Sequence, residues 1–482
     1  MEAHEKKTII KNLKWLTISK IIVYLLSIIS ITLIPRYLGV EGYGQLNFIL
    51  SFVGLFSIIG DFGLTTLVLR DISKNPNKAK EYFDNLIVFK FILFFLFLLV
   101  VSVVSFVIDR NNPQALKLII IFSLGVGFTL ISGFILSFFD AIQQLKYRAV
   151  YEILSKAAYT FGVVLVILFN YKLFGIIIAS AVSFLVGLIY VFINLHSKFK
   201  LQVTINPEYI KEKISVAYPF LLTAIFWTIY FSIDRVFLMY MKGNYEVGLY
   251  SIGYTFIGFL IGIVGILHSS FLPAISNFSE NLNKQKTAID KYLWLLYVLC
   301  VPITIGGIYL APQIIKLVFG AIYLPGILAF QLTLFFFFFN SIGTVNYNVL
   351  ISNGFEKFAL KLLGLSAMIN IIFNFILIPK YGIIGAAIST IIAELVVFVG
   401  CYNLIKNKIV SVDYLSPIIC PLLASIFMLF GLIIGSKLFP NILLTKFGVL
   451  IFVVVGSIIY TSFLYFFKKE EITELIKLIR NK

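Results

Sequence analysis

Charge is scarce in this sequence. Of its 482 residues only 13% are Asp, Glu, Lys or Arg, whereas 60% are hydrophobic. Soluble domains carry about 25% charge, and a mean hydropathy of +1.01 leaves more apolar surface than one water-facing core can hide. Cysteine is rarer still. Cys300, Cys401 and Cys420 all lie in or beside apolar runs, which excludes a disulfide framework and a zinc-ligand spacing. No glycine-rich phosphate loop, metal-ligand motif or nucleophile elbow occurs, so nothing supports nucleotide hydrolysis or covalent catalysis. Long polar segments are missing too. The breaks between apolar runs reach about twenty residues, too short for a soluble domain.

What is present is a succession of apolar runs, each near the ~20 residues that cross a bilayer as a helix. They fall at about 15–34, 46–69, 86–108, 116–139, 150–170 and 173–195. After a polar break at 196–216 come 217–240, 247–275, 292–311, 327–352, 358–378 and 383–405, then 415–436 and 447–467. The expectation is an all-α integral membrane protein of about fourteen spans. The basic start, MEAHEKKTIIKNLKW, precedes an apolar run too long for a signal-peptide core, so it reads as a retained first span.

The net charge of +17 sits in short breaks rather than on a continuous basic face, which argues for topology and lipid contact and against a nucleic-acid partner. With the N-terminus inside, inner segments hold 26 Lys and Arg and outer segments 9. A span count wrong by one near the middle would erase that bias, so both termini are expected on the cytoplasmic side. In the tail Glu470–Lys482, Ile472, Leu475, Ile476 and Ile479 recur at helical spacing with charges between, which fits either a short amphipathic helix on the inner surface or a frayed polar tail.

The chain also repeats itself. Gly39-Val-Glu-Gly-Tyr-Gly44 after the first span matches Gly243-Asn-Tyr-Glu-Val-Gly248 after the seventh, 204 residues later. Lys146-Tyr147 matches Lys357-Phe358 at an offset of 211, and Tyr171-Lys-Leu-Phe-Gly175 matches Tyr381-Gly-Ile-Ile-Gly385 at 210. Six spans separate the copies, an even number, so both have the same orientation. The expected organisation is a six-helix bundle over 1–196, a second over 197–410, and two further helices with the tail over 411–482.

Charges inside spans cost about 2.5–3.5 kcal/mol each at mid-helix, so each needs a reason. Lys20, Lys90, Lys156 and Arg235 are the basic residues within spans. Lys20 and Lys156 sit about one turn in from the inner face and either snorkel or line a cavity with positive charge suited to a pyrophosphate. Asp61, in Gly60-Asp61-Phe62-Gly63, is a structural contact or a cation site. Asp234 and Arg235 are adjacent, so they face different directions and each needs a contact on another helix or at the interface. Glu394 lies near a span's midpoint and is the candidate ion-coupling carboxylate. His268 reads as a packed polar residue before a proton relay, and Phe335–Phe339 as core or lipid face.

Gly39-Val-Glu-Gly-Tyr-Gly44, Gly60-Asp61-Phe62-Gly63-Leu64 with Arg70, and Asp234-Arg235 followed by Val247-Gly248-Leu249-Tyr250-Ser251 together resemble the polysaccharide biosynthesis and oligosaccharide flippase (Wzx-type) family. That family belongs to the multidrug/oligosaccharidyl-lipid/polysaccharide exporter (MOP) superfamily, which includes the MATE transporters. The resemblance extends over nearly the whole chain in span order and loop length. It implies a V-shaped, two-lobed transporter, not an enzyme, that moves undecaprenyl-pyrophosphate-linked oligosaccharide across the cytoplasmic membrane by alternating access. It also implies cavity cations, here Lys20 and Lys156, no cofactor beyond a coupling H+ or Na+, and as partners membrane lipids and polysaccharide polymerase or assembly proteins. A cation-coupled multidrug exporter and a lipid II flippase share the fold; the chain lacks the latter branch's group of arginines in the first lobe. A membrane glycan polymerase or ligase would need a large outer loop, which this chain does not have.

Overall fold

Where several of the apolar runs end, the backbone turns at residues with positive φ. The computed structural model describes residues 2–108, 112–198, 204, 206–278, 281–445 and 447–469. The tail helix expected over 470–482 lies outside them. The described residues contain no strand. The first helices are α1 (Glu2–Asp61), α2 (Leu64–Lys74), α3 (Ala79–Ile108), α4 (Pro113–Ala141), α5 (Lys146–Leu168), α6 (Lys172–Lys198) and α7 (Pro207–Lys242). Then come α8 (Asn244–Asn277), α9 (Leu282–Tyr309), α10 (Ala311–Val318), α11 (Ile327–Ser352) and α12 (Glu356–Lys408). The last are α13 (Ser416–Leu438), α14 (Pro440–Leu444) and α15 (Gly448–Phe467).

Among the described residues, twelve continuous helical stretches are long and apolar enough to cross a membrane, where fourteen spans were expected. The difference lies in two of them, Lys14–Asp61 and Glu356–Lys408, which are 48 and 53 residues long. A straight 48-residue helix would measure about 72 Å, more than twice the ~30 Å apolar thickness of a bilayer. Neither is straight. Each breaks at a glycine outside helical space, Gly39 (φ 70°, ψ −179°) and Gly382 (φ 54°, ψ −130°).

Both breaks reverse the chain. Lys20 meets Glu152 near the start of α5, and the Tyr37 hydroxyl donates to Val166 O at α5's far end, so this part of α1 runs parallel to α5. After Gly39, Gln45 lies beside Tyr171 and Lys172, while Asp61 has come back to Lys90. In α12, Gly385 lies against Leu377, Ser366 donates to Ala393 O at 2.8 Å, and Gly400 lies against Leu362. These pairs are centred just before Gly382, as an antiparallel hairpin turning there requires.

The left-handed residues also carry the repeat. Gly39 (φ 70°) has Gly243 (φ 89°) as counterpart, Gln143 (φ 60°) has Gly354 (φ 81°), and Lys172 (φ 49°) has Gly382 (φ 54°). The offsets are those of the sequence matches. By packing, the chain divides into Met1–Tyr240 and Met241–Lys482, so α7 groups with the first unit although the repeat begins its second copy before it. Two contacts tie α7 down. Lys213 Nζ lies 4.9 Å from the ring centre of Tyr82 on α3. Gly63 (φ 74°), which caps α2, has no room for a Cβ because the α7 backbone at Ala217 and Leu221 passes against it.

Between helices in lipid there is little hydrophobic gain, so close packing of small residues does much of the holding. Gly125 on α4 lies against Ala181 on α6, Gly162 on α5 against Ala179 on α6, and Gly253 on α8 against Thr333 on α11. At one end of the first unit, Leu64, Leu67, Phe83, Phe134, Phe138 and Leu195 build an aromatic-rich core. In the second unit α13 and α15 pack on α9 through Met428, Leu432, Val449, Phe452 and Tyr460, and the Tyr460 hydroxyl donates to Val298 O at 2.9 Å.

Candidate functional site

The intramembrane charges fall into separate groups, each set by a helix pair. The first lies on the seam between α1 and α5. Lys20 Nζ is 3.1 Å from Glu152 Oε2, and Lys156 Nζ donates to Ser30 Oγ at 3.2 Å while lying 5.4 Å from the Tyr159 ring centre. Glu152 and Lys156 are four residues apart on one helix, hence on one face. The structure therefore does bring the two predicted lysines to one seam, with a carboxylate that sequence reading missed. The seam's net charge is one positive, not two. Glu152's spacing to Lys156 was its only signal, since its contact with Lys20 spans 132 positions. An ammonium has three N–H donors, so Lys156 retains capacity for an anion beyond Ser30.

Asp61 sits on a different helix pair. Its carboxylate takes an ion pair from Lys90 Nζ at 3.0 Å and a hydrogen bond from the Thr65 hydroxyl. Lys90 is fully buried, 5.5 Å from the Phe134 ring centre. A salt-bridged carboxylate that fixes α1 against α3 fits the structural alternative for Asp61. Just beyond, Asp71 on α2 accepts from Arg70 Nε and from the Tyr82 hydroxyl, both at 2.7 Å. Burial alone would raise the Asp71 pKa; the Arg70 and Tyr82 hydrogen bonds outweigh it and hold the carboxyl below its usual value.

On α7, Asp234 is 1% exposed, and Arg235 Nη2 donates to Phe231 O at 2.8 Å, one turn back on its own helix. For the guanidinium this answers part of the expected need for a second helix: its length lets it reach back to a carbonyl. In the second unit Glu394 is 4% exposed and accepts from Asn340 Nδ2 at 3.2 Å. Its other oxygen fills the space where Gly343 would carry a side chain. One turn before Glu394, the Thr390 hydroxyl is 3.3 Å from those of Tyr250 and Tyr254, and Asn370 and Asn374 are also buried. Asn340, Gly343 and the two tyrosines are thus the unpredicted surroundings of a predicted residue. The His268 ring bonds to the Tyr292 hydroxyl, and Tyr292 stacks on Phe271 at 4.6 Å, a packed arrangement. Among the described residues no group of three His, Cys, Asp or Glu is placed to hold a metal.

The fold has solved counterparts. A lipid II flippase, MurJ, in an inward closed conformation superposes with a TM-score of 0.78 at 18% identity, covering 95% of this chain and 99% of that one. An inward-facing multidrug resistance MATE family transporter of the MOP superfamily gives 0.63 at 17% identity, covering 80% and 94%. The fold is therefore MATE-like. A putative O-antigen transporter of Shigella flexneri is 23% identical over 402 residues, which cover 79% of this chain and 94% of that protein. The sequence pattern of the family described as polysaccharide biosynthesis protein matches residues 9–279. That match spans more than half of the sequence, and this membrane protein belongs to the polysaccharide biosynthesis protein family.

Proposed function

We propose that the chain is a flippase that moves a lipid-linked oligosaccharide, joined through pyrophosphate to undecaprenol, across the cytoplasmic membrane by alternating access. The carrying observation is the family match over 9–279 in a chain whose fold is MATE-like and whose described residues include no soluble domain. Likeness to an O-antigen transporter over 94% of its length supports the glycan-lipid substrate. We count fourteen passes, because the two helices that double back at Gly39 and Gly382 supply two each. The 26-to-9 bias of Lys and Arg then puts both termini on the cytoplasmic side.

In this reading Lys156 meets the pyrophosphate, as a point charge that holds phosphate without a dedicated loop. Lys20 is held by Glu152, so its charge tunes the seam rather than adding a second anchor. Glu394 is the proton- or sodium-coupling carboxylate, supported by its burial and by the amide of Asn340. Neighbours that polymerise the delivered glycan would be its assembly partners. In proteoliposomes loaded with a fluorescent undecaprenyl-pyrophosphate oligosaccharide, the protein should expose inner-leaflet label to an external quencher. Efflux of cationic dyes without that exposure would place the chain with the multidrug exporters instead.

A further inference from the structure

The first unit has a cleft of about 460 Å³ at the end where α4 and α6 begin, lined by Gln45, Gln114, Lys117, Tyr171, Lys172 and Phe174, with Leu118 and Leu173 beneath. Two lysines and two amides converge on it, and none of the lining residues is acidic. Lys117 lies 5.2 Å from the Phe174 ring centre. Both helices present their N-terminal turns here, so their dipoles add to the positive potential.

The repeat supplies the internal comparison. In the second unit the equivalent turn is at Gly382, and Glu246 Oε2 accepts from Ile383 N at 3.2 Å, so a carboxylate of the chain itself occupies that helix start. In the first unit the Lys172 N–H goes to the neutral Tyr37 hydroxyl at 2.8 Å, and the cleft is left cationic. The second unit uses glycine for the left-handed residue; the first holds Lys172 there at φ 49°, beside Asn170 at 56°. L side chains disfavour that conformation. Turn geometry alone would favour glycine there, as the second unit has it at Gly382. Tyr171 and Phe174, 61% and 41% exposed, place apolar surface beside the charges.

We propose that this cleft binds the phosphate group of a membrane lipid, with the charges of Lys117 and Lys172 and the amide N–H groups of Gln45 and Gln114 on its oxygens. Two sources share that chemistry: an anionic phospholipid headgroup and the pyrophosphate of a polyprenyl lipid. The proposal concerns binding only, so it stands or falls independently of transport.

The test is native mass spectrometry of the full-length protein from phosphatidylcholine nanodiscs containing either phosphatidylglycerol or undecaprenyl pyrophosphate. The wild type should retain at least one of these lipids, and Lys117→Gln with Lys172→Gln should lower that retention about tenfold. Retention of phosphatidylglycerol alone supports a phospholipid site, of the polyprenyl lipid alone a substrate site, and of both the shared chemistry. Lys172→Gly, which copies the second unit's turn, should leave thermal stability equal or higher yet still lower retention, separating binding from folding. Lys357→Gln with Lys361→Gln, at a different turn, should change nothing. Retention undiminished in the Lys117/Lys172 variant, or no retention by the wild type, would overturn the proposal.

Discussion

Single residues decide how the buried charges can be read. Lys90 is enclosed with Asp61 as its counter-ion, and removing one member of a buried pair costs about 3–5 kcal/mol because the other charge is stranded. Lys90→Met should therefore lower the unfolding temperature in detergent sharply, and Lys90→Met with Asp61→Asn should recover most of the loss. If both variants were equally impaired, Asp61 would have a role beyond the pair. On the α1–α5 seam, Lys20→Ala would strand Glu152 beside Lys156, so it should impair transport more than Lys20→Met with Glu152→Gln. Lys156→Ala should lower transport about tenfold in either background, which corresponds to ~1.4 kcal/mol. Glu394→Gln should flatten the dependence of transport on pH between 6 and 8, measured in proteoliposomes. Asp71 would not confuse that experiment. Its pKa is depressed on folding, so its contribution to stability is complete above the ordinary value near 3.9 and is lost only as pH falls below it.

At the scale of elements, the turns were the least legible feature in length and the most legible in sequence. Hydropathy divides α1 and α12 into two runs each, yet the helix continues almost unbroken, because one left-handed glycine suffices to reverse it. The repeat was readable because Gly39 and Gly243 keep the glycine that a left-handed φ favours, while the turns at 171–175 and 381–385 match through Tyr171 and Tyr381 and through the closely packed Gly175 and Gly385. Gly63 was visible as part of Gly-Asp-Phe-Gly, but its cause was not, since it depends on an α7 backbone more than 150 positions away. Helix crossings through Gly125 and Ala181 were equally invisible, because no local pattern says which small residue meets which. Gly125→Val should force α4 from α6 at a cost of about 1–3 kcal/mol, seen as a lower melting temperature with helix content unchanged. Wild-type melting would show that the crossing tolerates the extra volume.

For the whole molecule, composition alone settled the solvent: a chain this apolar, without long polar breaks, folds in a bilayer. Lys20, Lys156 and Glu394 could be singled out because lipid makes each charge costly. Their contacts Glu152, Ser30, Asn340 and Gly343 lie on other helix turns or other helices and needed the structure. The two-unit division and the family membership both suit a transporter, and the central claim is that its cargo is a glycan on a lipid pyrophosphate. The most direct measurement is the rate at which purified protein, reconstituted alone, moves labelled undecaprenyl-pyrophosphate oligosaccharide between leaflets, against the Lys156→Ala variant and empty vesicles. The account predicts movement well above that of empty vesicles, reduced about tenfold by Lys156→Ala. Movement no faster than in empty vesicles, with the protein folded and correctly oriented, would contradict it.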